Sequence, residues 1–180
     1  MEIKVETKRY FMREIEDADL KGMFQLDGDP EVHRYLGNHS IKSLEEAQGV
    51  IDYIRNQYAT DGIGRWAVIE KSSGEFVGWS GLKYERVVRD DMDYYDIGYR
   101  FRRKFWGQGV ATETALAAMQ YGFQKMNLEE IYGGAHIDNL ASNKVLQKIG
   151  LQFLETFEFD GDPHHWYGVK RQQWLDLKLS

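Results

Sequence analysis

The stretch that decides the fold lies at residues 104–111 and has the sequence Lys-Phe-Trp-Gly-Gln-Gly-Val-Ala. Upstream of it, residues 95–101 alternate between apolar and polar side chains, as a strand with one buried face does. Downstream, apolar side chains recur every three or four residues as far as Met126, which is typical of a helix with one buried face. The sequence therefore predicts a strand, a glycine-rich turn and a helix in direct succession.

The turn is a candidate site for an anion. Gly107 and Gly109 lie at the start of the predicted helix, where glycine lets the backbone adopt a positive φ and approach an anion closely. The free N–H groups of a helix start also favour a phosphate. Arg102, Arg103 and Lys104 add positive charge beside the turn. We interpret residues 104–112, the glycine turn, as a pyrophosphate cradle; a tight turn whose glycines serve packing alone is the alternative.

Spacing disfavours two well-known phosphate-binding loops. A Walker A loop requires Gly-Lys followed by Ser or Thr after four spacer residues, and the sequence contains no such run. The dinucleotide fingerprint requires a third glycine three residues after Gly109, where this chain has Thr112. A nucleotide-binding protein of either kind is therefore not expected.

The remaining pattern predicts one domain over residues 1–180, without internal repeats or linkers. Ser43 and Glu46 have the spacing of a capping box, and an apolar stripe follows until about Gly62. Strands are predicted at residues 7–15, 66–69, 76–84, 95–101, 131–136, 151–159 and 165–170. Helices are predicted from residues 17–19, 43, 110 and 139. This order is that of an α/β (α+β) fold around one sheet of about seven strands with about four helices.

Composition excludes several classes of protein. The 23 Lys and Arg stand against 29 Asp and Glu, a net charge of -6, which argues against nucleic-acid binding through phosphate neutralisation. Cys is absent, which excludes disulfides, thiolate catalysis and Cys-ligated zinc. No segment approaches the ~20 apolar residues of a membrane helix, and residues 1–13 lack the apolar run of a secretory signal. We expect a cytoplasmic protein that binds neither nucleic acid nor membrane.

A second segment places polar residues at another helix start. It has Asn139, Ser142 and Asn143 at its beginning and Gly150 at its end. An Asn N-cap and a Gly after the last turn explain two of these residues by helix ends alone. What favours a functional interpretation is the combination of the two segments and their order, about thirty residues apart in the chain.

Together the two segments resemble the GNAT superfamily of N-acetyltransferases, and within it the branch of ribosomal-protein alanine N-acetyltransferases. The matching residues are 106–113, Asn139, Ser142, Asn143, 148–151, Tyr167 and Trp174, with Met12, Arg13, Asp17 and Asp19 near the N-terminus. The resemblance covers nearly the whole chain. It implies a single-domain mixed sheet that splays apart at its centre.

The resemblance implies acetyl-CoA as co-substrate and no metal. The pyrophosphate is then expected on backbone N–H groups of the glycine turn, and an amide near Phe101 is expected to polarise the thioester carbonyl. The residues that the resemblance assigns to the cofactor are Phe101, Arg103, Lys104, Trp106, Gly107, Gln108, Gly109, Val110, Ala111, Thr112, Asn139 and Asn143.

Two positions depart from the superfamily pattern. The loop usually begins with Gln or Arg, where this chain has Lys104, and a contact through the backbone tolerates that change. Many members carry a Tyr that protonates the leaving thiolate, where this chain has Leu146. The resembled branch offers a serine instead, which matches Ser142. We therefore expect Ser142 to be the acid, and a structural role in the first turn of its helix is the alternative.

A base is also required, because a lysine-like amine has a pKa of ~10.4 and an α-amine one of ~7.7–8.0. Asp96, Glu85 and Glu158 are the candidates, and the resemblance favours Glu158. As Asp and Glu are mostly exposed, each of the three is otherwise explained as a solvated surface carboxylate.

The sequence thus predicts an acetyl-CoA-dependent transfer to a primary amine, by a monomer or a homodimer. The acceptor is a protein N-terminus, a polyamine or an aminoglycoside-like small molecule. The alternative, favoured by Leu146 and by the lack of an obvious base, is a non-catalytic acyl-CoA-binding or protein-interaction module. Asp160, Asp162, His164 and His165 are interpreted as a polar turn and not as a metal site, because adjacent histidines on a strand point to opposite faces.

Overall fold

A mixed sheet of eight strands runs through the computed structural model, which describes residues 2–178. The strands are β1 (Ile3–Glu6), β2 (Tyr10–Arg13), β3 (Trp66–Glu70), β4 (Phe76–Glu85), β5 (Tyr94–Phe101), β6 (Glu130–His136), β7 (Gln152–Phe159) and β8 (Asp162–Lys170). The helices are α1 (Leu20–Asp27), α2 (Leu44–Asp61), α3 (Val110–Gln124), α4 (Leu140–Lys148) and α5 (Arg171–Lys178). The order across the sheet is β1-β2-β3-β4-β5-β6-β8-β7.

The expected fold class, an α/β mixture around one sheet, is confirmed, and the counts differ slightly. The N-terminal segment was expected to hold a single strand at residues 7–15. It forms the hairpin β1–β2 instead, closed by the amide of Thr7 on the carbonyl of Tyr10 at 2.8 Å. The C-terminal helix α5 was not predicted either. It is largely polar, and it is held by the buried Trp174, whose indole N–H donates to the carbonyl of Ile149 at 2.8 Å.

Helices cover both faces of the sheet. On one face α1 and α2 bury Met23, Leu26, Ile51 and Ile54 against strand residues such as Ile69. On the other face α3, α4 and α5 pack over a second apolar cluster of the sheet. Full burial of one such side chain contributes roughly 1.5–3 kcal/mol relative to leaving it exposed, so these two clusters hold the layers together.

The ends of α2 follow the sequence signals. Ser43 Oγ accepts the amide of Glu46 at 3.1 Å, and Gly62 ends the helix with a φ of +69°. Leu44, the first residue of the helix and of its apolar stripe, is half exposed. None of the helices within residues 2–178 is both long and apolar enough to cross a bilayer.

The sheet separates between its two central strands. β5 and β6 are parallel neighbours, and over the described residues they pair at a single position, Asp96 with Tyr132. β5 then continues to Phe101 and β6 continues to His136, and the two strands do not pair with each other beyond that position. The result is a wedge-shaped gap that opens toward the carboxyl ends of both strands, next to the first residues of α3 and α4. This is the central splay that the family resemblance implies.

Candidate active site

Unpaired backbone amides line the start of α3. Gly107 and Gly109 have φ angles of +73° and +78°, a conformation that favours glycine. The amides of residues 107–112 donate to no group within the described residues, since the amide of Glu113 is the first to bond inside the helix. A Cβ added to Gly107 would meet nothing within 4 Å. The glycine turn therefore offers several free donors and the positive end of a helix dipole to an anion.

A further free amide faces the gap at the end of β5. Arg102 donates its amide to Val77 of β4 at 3.0 Å, so the amide of the preceding residue, Phe101, points away from β4 and toward β6. The carbonyl of Phe101 faces the same way, where the indole N–H of Trp106 reaches it at 2.8 Å. Trp106 thus ties the glycine turn to the strand end, and the Phe101 amide has the orientation expected of an oxyanion donor.

The basic side chains before the turn are already paired. Arg102 and Lys104 bond to Glu75 at 2.7 and 2.5 Å, and Arg103 bonds to Asp29 at 3.1 Å. The hydrogen bonds from Lys104 and Arg102 hold the pKa of Glu75 below its usual range. The expectation that these cations add free positive charge to the cradle is therefore corrected. The side chains of Arg103 and Lys104 anchor the turn through these ion pairs, and a contact of their backbone with the cofactor stays a prediction.

An arginine that sequence reasoning missed lies beside the turn. Arg9, in the β1–β2 connection, donates from Nε to Glu113 in the first turn of α3 at 2.7 Å. Its other guanidinium end comes within 3.5 Å of where a Cβ of Gly109 would stand. No local pattern could have indicated it, because Arg9 is about one hundred residues away along the chain.

The side chain of Val110 in the glycine turn faces the protein interior. Val110 is 3% exposed and belongs to the cluster under α3. Its carbonyl accepts the hydroxyl of the buried Thr114 at 2.8 Å. Val110 therefore has only its amide to offer a ligand, whereas Gln108, Ala111 and Thr112 are at least partly accessible.

Asn143 holds α4 against the strand ends. Its Nδ2 donates to the carbonyls of His136 and Asn139 at 2.9 and 2.8 Å. Its Oδ1 accepts from Tyr167 at 2.8 Å and from Nδ1 of His165 at 3.1 Å. Every hydrogen-bonding position of the amide is thereby filled. Asn143 therefore positions α4, and its expected contact with the cofactor stays a prediction.

Asn139 and Ser142 lie at the start of α4, as the sequence indicates. Oδ1 of Asn139 accepts the amide of Ser142 at 3.1 Å, which is an N-cap. The hydroxyl of Tyr99 on β5 donates to the carbonyl of Ser142 at 3.1 Å and lies equally close to Ser142 Oγ. Ser142 and Tyr99 together bridge the gap. Tyr99 was missed as a site residue, because its place in the alternation of β5 gave it only a packing role.

The phenol at the gap comes from Tyr99 and not from position 146, which holds a leucine. Leu146, at the position where many members of the family carry Tyr, is 1% exposed and packs in the core. Burial raises the pKa of Tyr99, so its hydroxyl keeps its proton at neutral pH. A phenol therefore does reach this region, but from β5 and not from α4.

Two of the three candidate bases are occupied. Asp96 forms an ion pair with Arg65 beneath the gap, and burial raises its pKa. Burial alone would also raise the pKa of Glu85, but Lys83 at 2.5 Å and two backbone amides outweigh it and lower that pKa. A carboxylate with a lowered pKa is a weak base.

Glu158 has a different setting. It is exposed on the edge strand β7, and its carboxylate makes no hydrogen bond or ion pair with the residues that the structure describes. In the register of the β7–β8 hairpin it stands opposite Pro163, while its neighbour Phe157 stands opposite His164 on the other face. The structure does not bring Glu158 into contact with Ser142 or with the ends of β5 and β6.

Other surface features lie away from the gap. Pockets of about 300 and 270 Å³ are lined by Glu14 and Arg55 on one side of the molecule and by Tyr84 and Tyr132 at the closed end of the β5–β6 pair. No three His, Asp or Glu side chains within residues 2–178 are grouped to hold a metal ion. The site is therefore defined by the splayed strand ends and the starts of α3 and α4.

This geometry agrees with a family comparison. Residues 9–152 match the family described as the acetyltransferase (GNAT) domain, which is most of the chain. The chain belongs to the GNAT acetyltransferase family. It is accordingly an enzyme of the N-acetyltransferase class.

Two curated relatives illustrate the range of the family. The chain is 32% identical over 169 residues to FsC-acetyl coenzyme A-N(2)-transacetylase of Aspergillus fumigatus, covering 86% of this chain and 70% of that one. It is 26% identical over 161 residues to spermidine N(1)-acetyltransferase of Escherichia coli, covering 89% and 79%. These names differ in their acceptors, so they support the family and not one substrate.

Among solved structures, the fold matches RimL, the ribosomal L7/L12 α-N-protein acetyltransferase solved with coenzyme A. The TM-score is 0.77 at 17% identity, covering 94% of this chain and 98% of that one. Similarity at this level of identity concerns the fold alone. The ribosomal-protein branch that the sequence suggested is thus one of several with this architecture.

Proposed function

We propose that this GNAT enzyme takes acetyl-CoA as its acetyl donor and transfers the acetyl group to a primary amine. The observation that carries the proposal is the row of unpaired amides at residues 107–112, which ends beside the gap between β5 and β6. Free amides at a helix start suit a diphosphate, and the gap offers unpaired strand edges to an amide-containing arm.

The chain's own residues divide this work. The amides of the glycine turn hold the diphosphate, with Arg9 as an added cation, and the unpaired edges of β5 and β6 hold the arm. The bound co-substrate supplies an activated acetyl thioester. The amide of Phe101 donates to the thioester oxygen, where negative charge grows during attack. Asn139 and Asn143 fix the start of α4, so that Ser142 stays at the mouth of the gap.

We assign the protonation of the departing sulfur to the Ser142–Tyr99 pair. The Tyr99 hydroxyl donates to the Ser142 carbonyl, and its oxygen lies 3.1 Å from Ser142 Oγ. When Ser142 gives its proton to the sulfur, the Tyr99 hydroxyl can turn from the carbonyl to Oγ and replace that proton, and Tyr99 takes a proton back from solvent. The resemblance implies Glu158 as the base, but Glu158 lies exposed on β7 with no fixed partner, so the proposed function leaves the base unassigned.

The acceptor is proposed only as a primary amine, either a protein N-terminus or a small amine. Spermidine and a ribosomal protein, which are named as acceptors among the proteins compared above, are the first to test. That the protein works in the cytoplasm, as a monomer or a homodimer, remains a prediction from sequence.

A Gly109→Trp variant tests the cradle. A side chain at a φ of +78° strains the turn and stands near Arg9 at the mouth of the cradle. We expect acetyl-CoA affinity measured by calorimetry to fall at least ~100-fold, the loss of several charge-assisted hydrogen bonds. Gly62→Trp is the matched control, because Gly62 has a φ of +69° with nothing within 4 Å of its Cβ and lies far from the turn. Equal affinities in the two variants would exclude the cradle.

The alternative function is a non-catalytic acyl-CoA-binding module, which the buried Leu146 and the paired carboxylates favour. Release of free CoA separates the two. With a panel of α-amine peptides, polyamines and aminoglycosides, the proposed enzyme releases thiol with at least one amine. A pure binding module shows calorimetric affinity for acetyl-CoA and releases none.

A further inference from the structure

The chain segment between α1 and α2 crosses the gap on one face of the sheet. On the β5 side, Asp27 bonds to Arg100 at 2.7 Å and Asp29 bonds to Arg103. On the β6 side, the ring of Tyr35 lies 5.5 Å from that of His136. Residues 28–43 therefore span the carboxyl ends of both strands. An acceptor amine that enters the gap from this face therefore contacts the side chains that lie between the segment and the sheet.

Two histidines lie there. His136 at the end of β6 stands opposite His164 of β8 in the sheet register, with ring centroids 5.6 Å apart and ring planes at 77°. His165, the next residue, points to the other face, where it bonds to Asn143. Because adjacent residues of a strand point to opposite faces, His164 lies on the face that the acceptor approaches and His165 does not. The same alternation argued against a metal ion shared by the two.

Backbone contacts fix the proton on each ring. Nδ1 of His164 lies 2.9 Å from the carbonyl of Asp162, and a carbonyl only accepts, so Nδ1 carries the hydrogen. In the neutral ring Nε2 then holds a lone pair. Nδ1 of His136 instead accepts the amide of Asp138 at 3.1 Å, so its Nε2 carries the hydrogen. The pair thus presents one basic nitrogen and one N–H donor.

We propose that Nε2 of His164 is the base that deprotonates the acceptor amine, and that His136 orients the amine from β6. The inference rests on the proposed acetyl transfer. The carboxylates do not compete: Asp96 and Glu85 are paired, Asp27 is buried between His33 and Arg100, and Glu158 faces away from His164 in the register of the hairpin.

The proton balance is as follows. The ammonium gives one proton to Nε2 of His164, which later passes it to solvent. The neutral nitrogen forms a bond to the acetyl carbon, and the bond from that carbon to sulfur breaks. The nitrogen then loses a second proton to solvent, and the sulfur takes up one proton from Ser142. The products are an amide and a thiol, and one proton is released overall.

The tautomers are a test that needs no substrate. With imidazole nitrogens observed by ¹⁵N NMR at a pH where the rings are neutral, we expect His164 to be protonated at Nδ1 and His136 at Nε2. The chain has five histidines, and a His164→Gln variant assigns its signal. An Nε2-protonated His164 would overturn the proposal.

Kinetics test the role itself. For His164→Gln we expect kcat/KM with a lysine-like amine to fall by ~100-fold or more, the range of a lost general base. The loss shrinks with a weakly basic amine that is already neutral at the assay pH, and free imidazole restores part of the rate of His164→Ala. Asp160→Asn, on the same hairpin, keeps the wild-type rate and its melting temperature.

The outcomes separate the two claims. A wild-type enzyme that acetylates an amine, together with an equally fast His164→Gln variant, refutes the base and leaves the acetyltransferase intact. An equal loss with both classes of amine also refutes it, since that pattern indicates a structural role. If the wild-type protein releases no CoA with any amine, the proposed function fails first.

Discussion

At the scale of single residues, the site depends on hydroxyl groups whose partners come from distant elements. Ser142 lies in the first turn of α4, a place where serine commonly bonds only to backbone. Its Oγ instead lies 3.1 Å from the hydroxyl of Tyr99, across the gap on β5. Tyr99 also stacks on Phe101, with ring centroids 6.3 Å apart and planes 7° from parallel. The proposed acid, the stacked ring and the proposed oxyanion amide thus form one connected unit.

Replacing Ser142 with Ala tests that unit. We expect kcat to fall by ~100-fold, as for a lost general acid, while the Kd of acetyl-CoA measured by calorimetry changes by less than about threefold, because no contact to the cradle is removed. Tyr99→Phe keeps the stacked ring and removes only the hydroxyl. Full turnover by Ser142→Ala would remove Ser142 as the acid, and a slow Tyr99→Phe in the same assay would transfer that role to Tyr99.

At the scale of elements, one side chain decides where α4 sits. Asn143 joins α4 to the end of β6 through the carbonyl of His136, and to β8 through Tyr167 and His165. Because Asn143 is 7% exposed, water cannot replace these three bonds easily. The orientation of Ser142, one residue earlier, depends on them.

Asn143→Ala is therefore expected to act on stability. Each buried polar group that loses its partner costs about 1–3 kcal/mol, so we expect the free energy of unfolding in urea to fall by at least ~2 kcal/mol. Asn56→Ala, exposed on α2, is the control and should stay within ~0.5 kcal/mol of wild type. Acetyl-CoA affinity of the folded variant should remain near the wild-type value. A stable variant with weakened affinity would restore Asn143 as a cofactor ligand.

The elements also explain which parts of the fold sequence alone could predict. The ends of α2 and α4 were predicted because Ser43, Gly62 and Asn139 act locally, within one turn of the helix. The β1–β2 connection lacks Gly, Pro, Asn and Asp, so nothing marked a turn there. Helix α5 depends on Trp174 reaching Ile149, a contact between segments far apart in sequence.

At the scale of the whole molecule, charge pairing could not be inferred from composition. A net charge of -6 suggested that a cluster of Arg and Lys before the glycine turn would stand out. The fold instead brings Asp29 and Glu75 to that cluster. Exposed pairs of this kind contribute little to stability, typically ~0–1 kcal/mol. Their effect is to fix the turn, which leaves the backbone amides as the principal donors.

The gap itself links ligand binding to global stability. The two halves of the sheet meet through one paired position, Asp96 with Tyr132, helped by α3 and by the segment between α1 and α2. A ligand that lies along both strand edges adds contacts present only in the folded state. At a concentration ~100 times its Kd, it stabilises the protein by about 2.7 kcal/mol. For a chain of this length that corresponds to a rise in Tm of roughly 5–10 °C.

We therefore expect acetyl-CoA to raise the Tm in a thermal scan, with the rise growing as the logarithm of ligand concentration. Gly109→Trp should lose the shift, while Gly62→Trp should keep it although its own starting Tm is lower. ATP at the same concentration should give a much smaller rise, because it lacks the pantetheine arm that would bridge β5 and β6. An equal rise with ATP would mean that the diphosphate site alone is occupied, and the gap would then have no part in holding the donor.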